Sequence, residues 1–401
     1  MTLLNTDFLA AAEAEQDQTL ALRRAIHADP ELGLHCTRTT AKLKAAIAGL
    51  PLEIRDSTST SGFVAILRGA QPGPTVLLRG DMDALPIEEE TGLPFASQVP
   101  GHMHACGHDT HSAMLASAAR ILCAQQASLA GTILFMFQPG EEGYHGARHM
   151  IADGLLDDPR PDAAFALHIF PTIAGGLVTT RAGALLASTD ALNATIHGRG
   201  GHAAMPYDTL DPLPVACEAV TALQAFIARR VPFHDPAIIS VTSIHAGSAY
   251  NVVPPAVELK GTLRTLSDER REQGRAAFRR IVEQVAAAHE CTADVHIDEG
   301  YPATRNDARA VRLIEQVATG LFGADQFAEM PTPIMGGEDF AYVLREIPGA
   351  MAFLGVAPPG EEAAGRAPIH NGRMTVHEDW LSRGVALHCA IATRFLASGW
   401  D

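Results

Sequence analysis

The sequence predicts an α/β protein in which a mainly parallel sheet has helices on both faces and a smaller α+β domain is inserted. The main observation is an alternation of short, continuously apolar segments with segments of helical periodicity. Strands that are apolar throughout are typical of parallel sheets buried on both faces. The chain's 401 residues also allow two domains. The apolar segments are 75–78, 133–137, 163–167 and 350–354, and the helical ones are 19–27, 110–126, 147–155 and 380–396.

The middle of the chain follows a different pattern, in which apolar and polar residues alternate as in strands with one solvated face. Its predicted order, β-α-β-β-α-β, is that of a ferredoxin-like layer. We therefore predict a main domain formed by residues 1–185 and 300–401, with an inserted domain at 186–299. Its strands are predicted at 192–197, 237–244, 257–264 and 293–297, and its helices at 211–229 and 268–289.

The net charge limits the partners that we expect, and the cysteine content indicates the cellular location. The chain has 46 acidic and 30 basic residues, a formal net charge of -16. Nucleic acids and anionic membranes are bound by basic surfaces, so we expect neither as a partner. The N-terminal segment lacks the basic start of a signal peptide, and no apolar stretch is long enough to cross a membrane. Six cysteines without paired spacing indicate reduced thiols, so we expect a cytoplasmic protein.

The densest candidate site is the segment 103–111, which reads Met-His-Ala-Cys-Gly-His-Asp-Thr-His. Within it, Cys106 and His108 stand close to the start of a predicted helix. Thiolate and imidazole are ligands of zinc and related transition metals rather than of magnesium or calcium. The alternative is a chance cluster in a chain that has 18 histidines.

Three other segments place polar residues just after apolar runs or in loops. Glu141 and Glu142 follow the run at 133–137, where adjacent carboxylates are costly to bury without a cation. One could bind a metal while the other takes a proton from water, although acidic residues are also common in exposed turns before helices. His168 directly follows another apolar run, and His370 lies in a loop near the C-terminus. Each histidine alone fits a structural role equally well.

Together these segments supply five candidate ligands. A catalytic zinc usually takes three protein ligands and keeps one position open, so five suit two metals that share a bridging group. The crevice at the carboxyl ends of the strands is where open α/β sheets bind ligands. The candidate ligands are Cys106, His108, Glu142, His168 and His370.

These and further motifs resemble the aminoacylase/carboxypeptidase group of co-catalytic metallopeptidases, in its amidohydrolase branch. That branch includes hippurate hydrolases, N-acyl-amino-acid amidohydrolases and plant auxin-conjugate hydrolases. The likeness runs nearly from end to end of the chain. The segments that carry it are 23–33, 80–86, 106–109, 138–143, 200–206, 249–254, 337–340 and 370–371.

The resemblance implies a two-metal hydrolase. The five candidate ligands would hold two divalent ions, either manganese, zinc, nickel or cobalt. Glu141 would be the general base and then the general acid, while Asp81 and Asp83 would support the metal site. The inserted domain would serve as a lid and dimerisation domain, which implies a homodimer or homotetramer.

The resemblance also implies residues that bind the substrate. His202 would reach the substrate carbonyl or carboxylate, either within one subunit or across a dimer. Asn251 and Arg264 would hold the substrate's carboxylate, and the planar guanidinium of an arginine suits that task. An exposed strand residue is the alternative interpretation of Arg264.

The predicted function is therefore hydrolysis of the amide bond of an N-acyl amino acid, giving a carboxylic acid and a free amino acid. A dipeptidase or carboxypeptidase at the same site is the alternative within the class. A thiol hydrolase with Cys106 as nucleophile would leave the glutamate pair unused. A non-enzymatic metal-binding protein would not need Glu141. Departures from the family pattern at Tyr207, Gly372 and 169–172 affect no proposed ligand, but they leave the acyl group and the amino acid open.

Overall fold

The computed structural model describes residues 7–359 and 365–401, which form two compact units. Unit 1 contains the described residues up to Leu185, together with Arg305–Thr332 and those from Asp339 onward, and unit 2 contains Leu186–Thr304 and Pro333–Glu338. The strands are β1 Glu53–Asp56, β2 Phe63–Arg68, β3 Gln71–Asp81, β4 Ala130–Gln138, β5 Ala163–Phe170, β6 Val178–Thr180, β7 Gly183–Leu186, β8 Ser188–His197, β9 Gly201–His202, β10 Ala237–His245, β11 Val252–Val253, β12 Ala256–Thr265, β13 Thr292–Glu299, β14 Thr304–Asn306, β15 Phe327–Glu329 and β16 Gly349–Gly355. The α-helices are α1 Phe8–Ala14, α2 Gln16–His27, α3 Thr37–Ala46, α4 His108–Cys123, α5 Gly146–Ala152, α6 Pro212–Arg230, α7 Asp268–Ala288, α8 Ala308–Phe322, α9 Ala341–Glu346 and α10 Leu381–Ser398.

Unit 1 is built on an eight-stranded sheet with the order β1-β2-β4-β3-β5-β16-β6-β15. Its four central strands, β4, β3, β5 and β16, run parallel, which confirms the predicted fold class. The edges are less regular, because β2 pairs antiparallel with both β1 and β4, and β6 pairs antiparallel with β16. Residues 57–62 join β1 to β2 and are too few for a helical crossover, so these two strands form a hairpin.

Helix α4 is the element that connects the core of unit 1 to the site. All but one of its residues are buried, and it packs against β3, α2 and α10. Small residues allow this close packing: a Cβ at Gly80 would lie 2.9 Å from the carbonyl oxygen of His111, and one at Gly384 would lie 2.2 Å from the sulfur of Met114. The first turn of α4 therefore lies against the carboxyl end of β3.

Unit 2 contains a four-stranded antiparallel sheet with the order β10-β12-β8-β13. With α6 and α7, the chain order is the predicted β-α-β-β-α-β. Alternate residues of β8 and β12 are buried and form one core with residues of both helices. The opposite face of each strand is more exposed, as the alternating sequence pattern predicts.

The unit boundaries differ from the predicted domain boundaries in two places, because unit 2 extends to Thr304 and also includes Pro333–Glu338. Backbone hydrogen bonds account for both differences. The Ala187 N–H donates to the carbonyl oxygens of Ile334 and Gly336, at 3.2 and 2.9 Å, and the Thr189 N–H donates to that of Tyr301 at 2.9 Å.

Two further observations bear on the chain's general character. Within the ranges 7–359 and 365–401, none of the helices combines the length and the apolar composition needed to cross a bilayer. All six cysteines are unpaired, and five of them are buried.

Asp190 is a buried carboxylate that ties β8 to α7 within unit 2. It accepts hydrogen bonds from Nε and Nη2 of Arg271 at 3.0 and 2.7 Å, and from Nε and Nη2 of Arg275 at 2.9 and 2.8 Å. Burial opposes the ionisation of Asp190, but the two guanidinium groups outweigh it and hold the pKa of Asp190 below its usual value.

We expect Asp190→Asn to lower the free energy of unfolding by about 3 kcal/mol at pH 7, since it removes the buried anion that Arg271 and Arg275 share. The folded-state pKa is depressed, so the carboxylate's stabilisation is complete above the unfolded pKa of about 3.9 and is lost as the pH falls through the folded pKa. Urea unfolding at pH 7 and in steps down to pH 3 measures both effects. The control is Glu299→Gln, which removes an exposed partner of Arg275 and should change stability by less than about 1 kcal/mol. A difference between Asp190→Asn and the wild type that does not shrink in acid would contradict the assignment.

Candidate metal centre

The predicted site residues of unit 1 come from the carboxyl ends of its central strands and from the loops beside them. Asp81 ends β3, Glu141 and Glu142 follow β4, and His168 lies near the end of β5. Cys106 and His108 stand at the start of α4, where Gly107 adopts a left-handed φ of 85°. A side chain at position 107 would also meet Ile169 at 2.6 Å, so glycine is required there on two counts.

The structure brings the five predicted ligands together in two overlapping groups. The ligand atoms of Cys106, His108 and His168 lie within 4.8 Å of one another, and so do those of Cys106, Glu142 and His370. Cys106 Sγ is 3.3 Å from His168 Nε2, and Glu142 Oε1 is 3.3 Å from His370 Nε2. Because Cys106 belongs to both groups, the arrangement can hold two cations that share one thiolate.

The surroundings of the two ring nitrogens of His108 indicate that the site can hold a cation. Both of its ring nitrogens are buried, and neither makes a hydrogen bond within the described part of the chain. Asp83 Oδ1 lies 3.5 Å from its Nδ1, and Asp81 Oδ2 and Glu142 Oε1 lie 3.7 and 3.9 Å from its Nε2. Burial opposes protonation of the ring, but these carboxylates outweigh it and raise the pKa of His108 to about 10. Unpartnered nitrogens among buried carboxylates are the surroundings that a bound cation stabilises.

The electrostatics of Cys106 also favour a metal ligand over a free nucleophile. Burial, followed by the charges of Glu142 and Glu141, raises the pKa of Cys106 well above its ordinary value. A nucleophilic cysteine needs a lowered pKa. For Glu142, burial opposes the charge, but the adjacent His370 and the charge of His108 outweigh burial and lower its pKa. A thiolate at Cys106 therefore needs a compensating positive charge beside it.

His168 is held as a neutral imidazole with one nitrogen free for a metal. Its Nδ1 lies 2.7 Å from the carbonyl oxygen of Ile169, which can only accept, so Nδ1 carries the proton. Burial lowers the pKa of His168 well below its ordinary value. The lone pair of Nε2 is thus available on the side of Cys106.

Asp83 fixes the backbone of the glutamate pair. Its two oxygens accept hydrogen bonds from the N–H groups of Glu141 and Glu142, at 3.0 Å each. The Glu141 side chain is nearly buried, and its Oε2 lies 4.0 Å from His108 Nε2. Glu141 is therefore close enough to the candidate ligands to exchange a proton with a water molecule bound among them.

Both oxygens of Asp81 already have close hydrogen-bond partners. Arg79 Nη1 donates to Oδ2 at 2.5 Å, and His111 Nδ1 lies 2.6 Å from Oδ1. Burial opposes the charge of Asp81, but Arg79 and then His108 outweigh it and hold its pKa well below the ordinary value. Arg79 also donates to Asp339 Oδ1 at 3.2 Å. These buried groups beneath the candidate ligands are consistent with the supporting role predicted for Asp81.

Sequence reasoning missed Arg79, His111 and Asp339 as functional candidates. Arg79 directly follows the predicted apolar strand at 75–78, and the other two lie in the segments 103–111 and 337–340. An arginine followed two positions later by an aspartate at the end of an apolar run is the signal that could have identified Arg79.

Two backbone hydrogen bonds join the loop that carries His370 to the segment before α4. The His370 N–H donates to the carbonyl oxygen of Ala105 at 2.8 Å, and the Glu90 N–H donates to that of Gly372 at 2.7 Å. His370 itself adopts a left-handed φ of 63°, which is costly for a residue with a side chain and persists only where the surroundings enforce it. A Cβ at position 372 would lie 2.4 Å from the carbonyl oxygen of Glu88.

We expect Gly372→Ala to displace this loop and weaken divalent-metal binding by about 10-fold or more, because His370 would leave the side of Glu142. Competition between the protein and a chelating dye for Zn²⁺ measures the loss. Gly365→Ala is the matched control, since a Cβ at position 365 meets no atom within 4 Å among the described residues. Equal affinities for the two variants would show that the close approach to Glu88 does not hold His370 in place.

Unit 2 contains the residues predicted to bind substrate. His202 and Asn251 lie together on the short ribbon of β9 and β11, where the Ala203 N–H donates to the carbonyl oxygen of Asn251 at 3.0 Å. The His202 side chain is exposed, and its Nδ1 accepts the Ala204 N–H at 3.1 Å. The ring's other nitrogen has no hydrogen-bond partner within the described residues.

Arg264 lies apart from that ribbon, on β12 of the four-stranded sheet. Its side chain is half-buried and makes no hydrogen bond or ion pair with any described residue. Burial lowers its pKa, and the negative charge of Asp190 opposes that shift. An arginine in that condition fits an anion-binding role, because an added carboxylate would supply the missing acceptor.

Comparisons with known proteins place the chain in a family. The model of the peptidase family M20/M25/M40 matches residues 77–394. The N-acetyl-L-cysteine deacetylase of Bacillus subtilis (strain 168) is 41% identical over 85% of this chain and 80% of its own length. The thermostable carboxypeptidase 1 of Saccharolobus solfataricus is 34% identical, with coverages of 95% and 96%. The IAA-amino acid hydrolase ILR1-like 2 of Arabidopsis thaliana is 34% identical, with coverages of 98% and 89%.

A solved structure agrees with these relatives. The YXEP protein of Bacillus subtilis, described as a dinuclear metal binding peptidase from the M20 family, matches with a TM-score of 0.83 and 31% identity, over 96% of this chain and 99% of that one. The chain therefore belongs to the peptidase family M20/M25/M40, which confirms the resemblance seen in its motifs. It is a hydrolase of the metal-dependent amidohydrolase class, with divalent metal ions as its cofactor.

Proposed function

We propose that this protein hydrolyses the amide bond of N-acyl amino acids, releasing a carboxylic acid and a free amino acid. The observation that carries the proposal is the grouping of two histidine-containing ligand sets around Cys106, with Glu141 beside them. Two relatives support the substrate class, because their names give N-acetyl-L-cysteine and IAA-amino acids as substrates.

In this proposal the five ligands hold two divalent ions, either manganese, zinc, nickel or cobalt, since thiolate, imidazole and carboxylate suit all four. Ions bound there would polarise the scissile carbonyl and lower the pKa of the attacking water. The ligand set is Cys106, His108, Glu142, His168 and His370.

Glu141 is the proposed general base. It takes the proton of the attacking water as the oxygen adds to the amide carbon, and it then gives that proton to the leaving amine as the C–N bond breaks. Asp83 holds the backbone at Glu141, so the carboxylate keeps a fixed direction.

The substrate residues of the proposal lie in unit 2. The unpartnered Arg264 binds the carboxylate of the amino acid, together with Asn251, and the exposed His202 stabilises the oxyanion of the tetrahedral intermediate. His202 acts either within its own subunit or across a homodimer or homotetramer. The cytoplasm, where unpaired thiols stay reduced, is the proposed location.

A second candidate function is a carboxypeptidase or dipeptidase activity at the same site, and the thermostable carboxypeptidase among the relatives favours it. Both activities cut an amide bond whose amine-side product carries a free carboxylate. They differ in the group on the acyl side, which is uncharged in an N-acyl amino acid and carries a free amine in a dipeptide.

The test is amine release from a panel of N-acyl amino acids with benzoyl, acetyl, long-chain and indole-acetyl groups, beside dipeptides with the same C-terminal residues. Metal-loaded protein is compared with protein stripped by EDTA. Metal-dependent release from N-acyl substrates is the expected result, and release from dipeptides alone would favour the second candidate. Activity that survives EDTA would indicate a thiol hydrolase. No release from any compound, with two ions shown to be bound, would overturn the proposal.

A further inference from the structure

His111 lies one helical turn after His108, yet the structure gives the two histidines opposite surroundings. His108 has no hydrogen bond on either nitrogen among the described residues, whereas both nitrogens of His111 are engaged. His111 Nδ1 lies 2.6 Å from Asp81 Oδ1, and its Nε2 lies 2.9 Å from the backbone nitrogen of Ile169. The ring is buried, at 1% exposed. A metal could reach His111 only if one of these bonds were broken.

The partners of His111 fix its tautomer. The Ile169 N–H can only donate, so Nε2 of the ring must accept and cannot carry a proton. Nδ1 therefore carries the proton and donates it to Asp81, whose other oxygen is held by Arg79. The carboxylate keeps the ring in the one orientation that leaves Nε2 facing β5.

The hydrogen bond to Ile169 matters because β5 no longer pairs with β3 at that residue. The pairing of β3 with β5 ends at Arg79 and Ala166, before it reaches Ile169. Nε2 of His111 takes the place of a carbonyl oxygen of β3. It thereby holds the peptide that joins His168 to Ile169, and the Ile169 carbonyl in turn fixes the ring of His168.

We propose that His111 is a positioning residue that orients His168 through the backbone of Ile169 and so preorganises the group formed by Cys106, His108 and His168. This inference rests on the metal centre of the proposed function. It assigns the two histidines of the segment 103–111 to different tasks, with His108 as a ligand and His111 as the support of a ligand that is distant in sequence.

Two substitutions separate the bonds of His111. The amide of asparagine reaches the place of Nδ1, so His111→Asn can keep the bond to Asp81 but loses the acceptor for Ile169. The amide of glutamine reaches the place of Nε2, so His111→Gln keeps an acceptor for Ile169 but loses the bond to Asp81. We expect His111→Asn to raise one of two Zn²⁺ dissociation constants by about 10–100-fold, and His111→Gln to change both by less than about 3-fold. The measurement is titration with Zn²⁺ against a chelating dye.

Equal losses in the two variants, a larger loss in His111→Gln, or no loss in either would overturn the proposal. Nitrogen NMR of the metal-free wild type gives a second test that does not depend on a variant folding. It should show both His111 and His168 protonated at Nδ1, and a proton on Nε2 of His111 would overturn the proposal by itself. Neither readout involves a substrate, so the proposal can fail while amide hydrolysis stands, and it can stand if the substrate panel gives no release.

Discussion

Glu141→Gln is expected to lower kcat by about 10²–10⁴-fold while two divalent ions stay bound. Glutamine has nearly the volume of glutamate, and the Asp83 bond to the backbone at position 141 does not depend on the side chain. The amide cannot accept a proton from water, so only the proton transfer is lost. The measurement is kcat on the best substrate of the panel, with metal content determined on the same sample.

The adjacent residue provides the matched control. Glu142→Gln makes the same chemical change one position along, at a carboxylate that the structure places 3.3 Å from His370 Nε2. We expect it to weaken the binding of one ion and to lose activity as a consequence, so that added metal restores part of the rate. Loss of metal from Glu141→Gln would instead make Glu141 a ligand, and a retained rate would exclude it as the base.

The local pattern predicted most of the fold because the central strands are apolar throughout. The runs at 133–137 and 163–167 lie inside β4 and β5, and the helices predicted in unit 2 match α6 and α7 within one residue at each end. The antiparallel edge was not predicted, because neither β1 nor β2 was among the predicted strands. The short connection makes β1 and β2 a hairpin, but the pairing of β2 with β4 joins segments that are distant in the chain, and local periodicity does not reveal such a pairing.

The site was predictable to the extent that its residues follow strand ends. That position made His168 and the glutamate pair candidates, and only the full set of motifs gave them roles. The different environments of His108 and His111 could not be predicted. Those environments depend on where the ladder between β3 and β5 stops, which is a property of the folded sheet. The structure also explains the glycine at position 372, where the sequence departs from the family pattern. The backbone of Glu88 leaves no room there for a side chain.

Cys106→Ser is expected to lower activity about as strongly as Glu141→Gln, but through loss of the bound metal ions. Cys106 is the one residue common to both ligand groups, so its loss affects both ions. A serine hydroxyl does not ionise among buried carboxylates, and its neutral oxygen is a poor replacement for a bridging thiolate. We expect fewer than one Zn²⁺ per chain at micromolar free metal. We also expect a loss of about 10³-fold in kcat/KM, since several kcal/mol of transition-state stabilisation disappear with the ions.

Loss of activity alone would not separate this mechanism from a thiol hydrolase, because both need the sulfur of Cys106. Metal content separates them: a nucleophilic cysteine could be replaced without loss of bound Zn²⁺, whereas a shared ligand could not. Cys217→Ser, at the one exposed cysteine, should change neither quantity. The raised pKa of Cys106 favours the ligand for a physical reason, since burial and the two glutamates disfavour a thiolate unless a cation lies beside it. A Cys106→Ser protein that keeps two ions but loses its activity would therefore overturn the metal-bridging role.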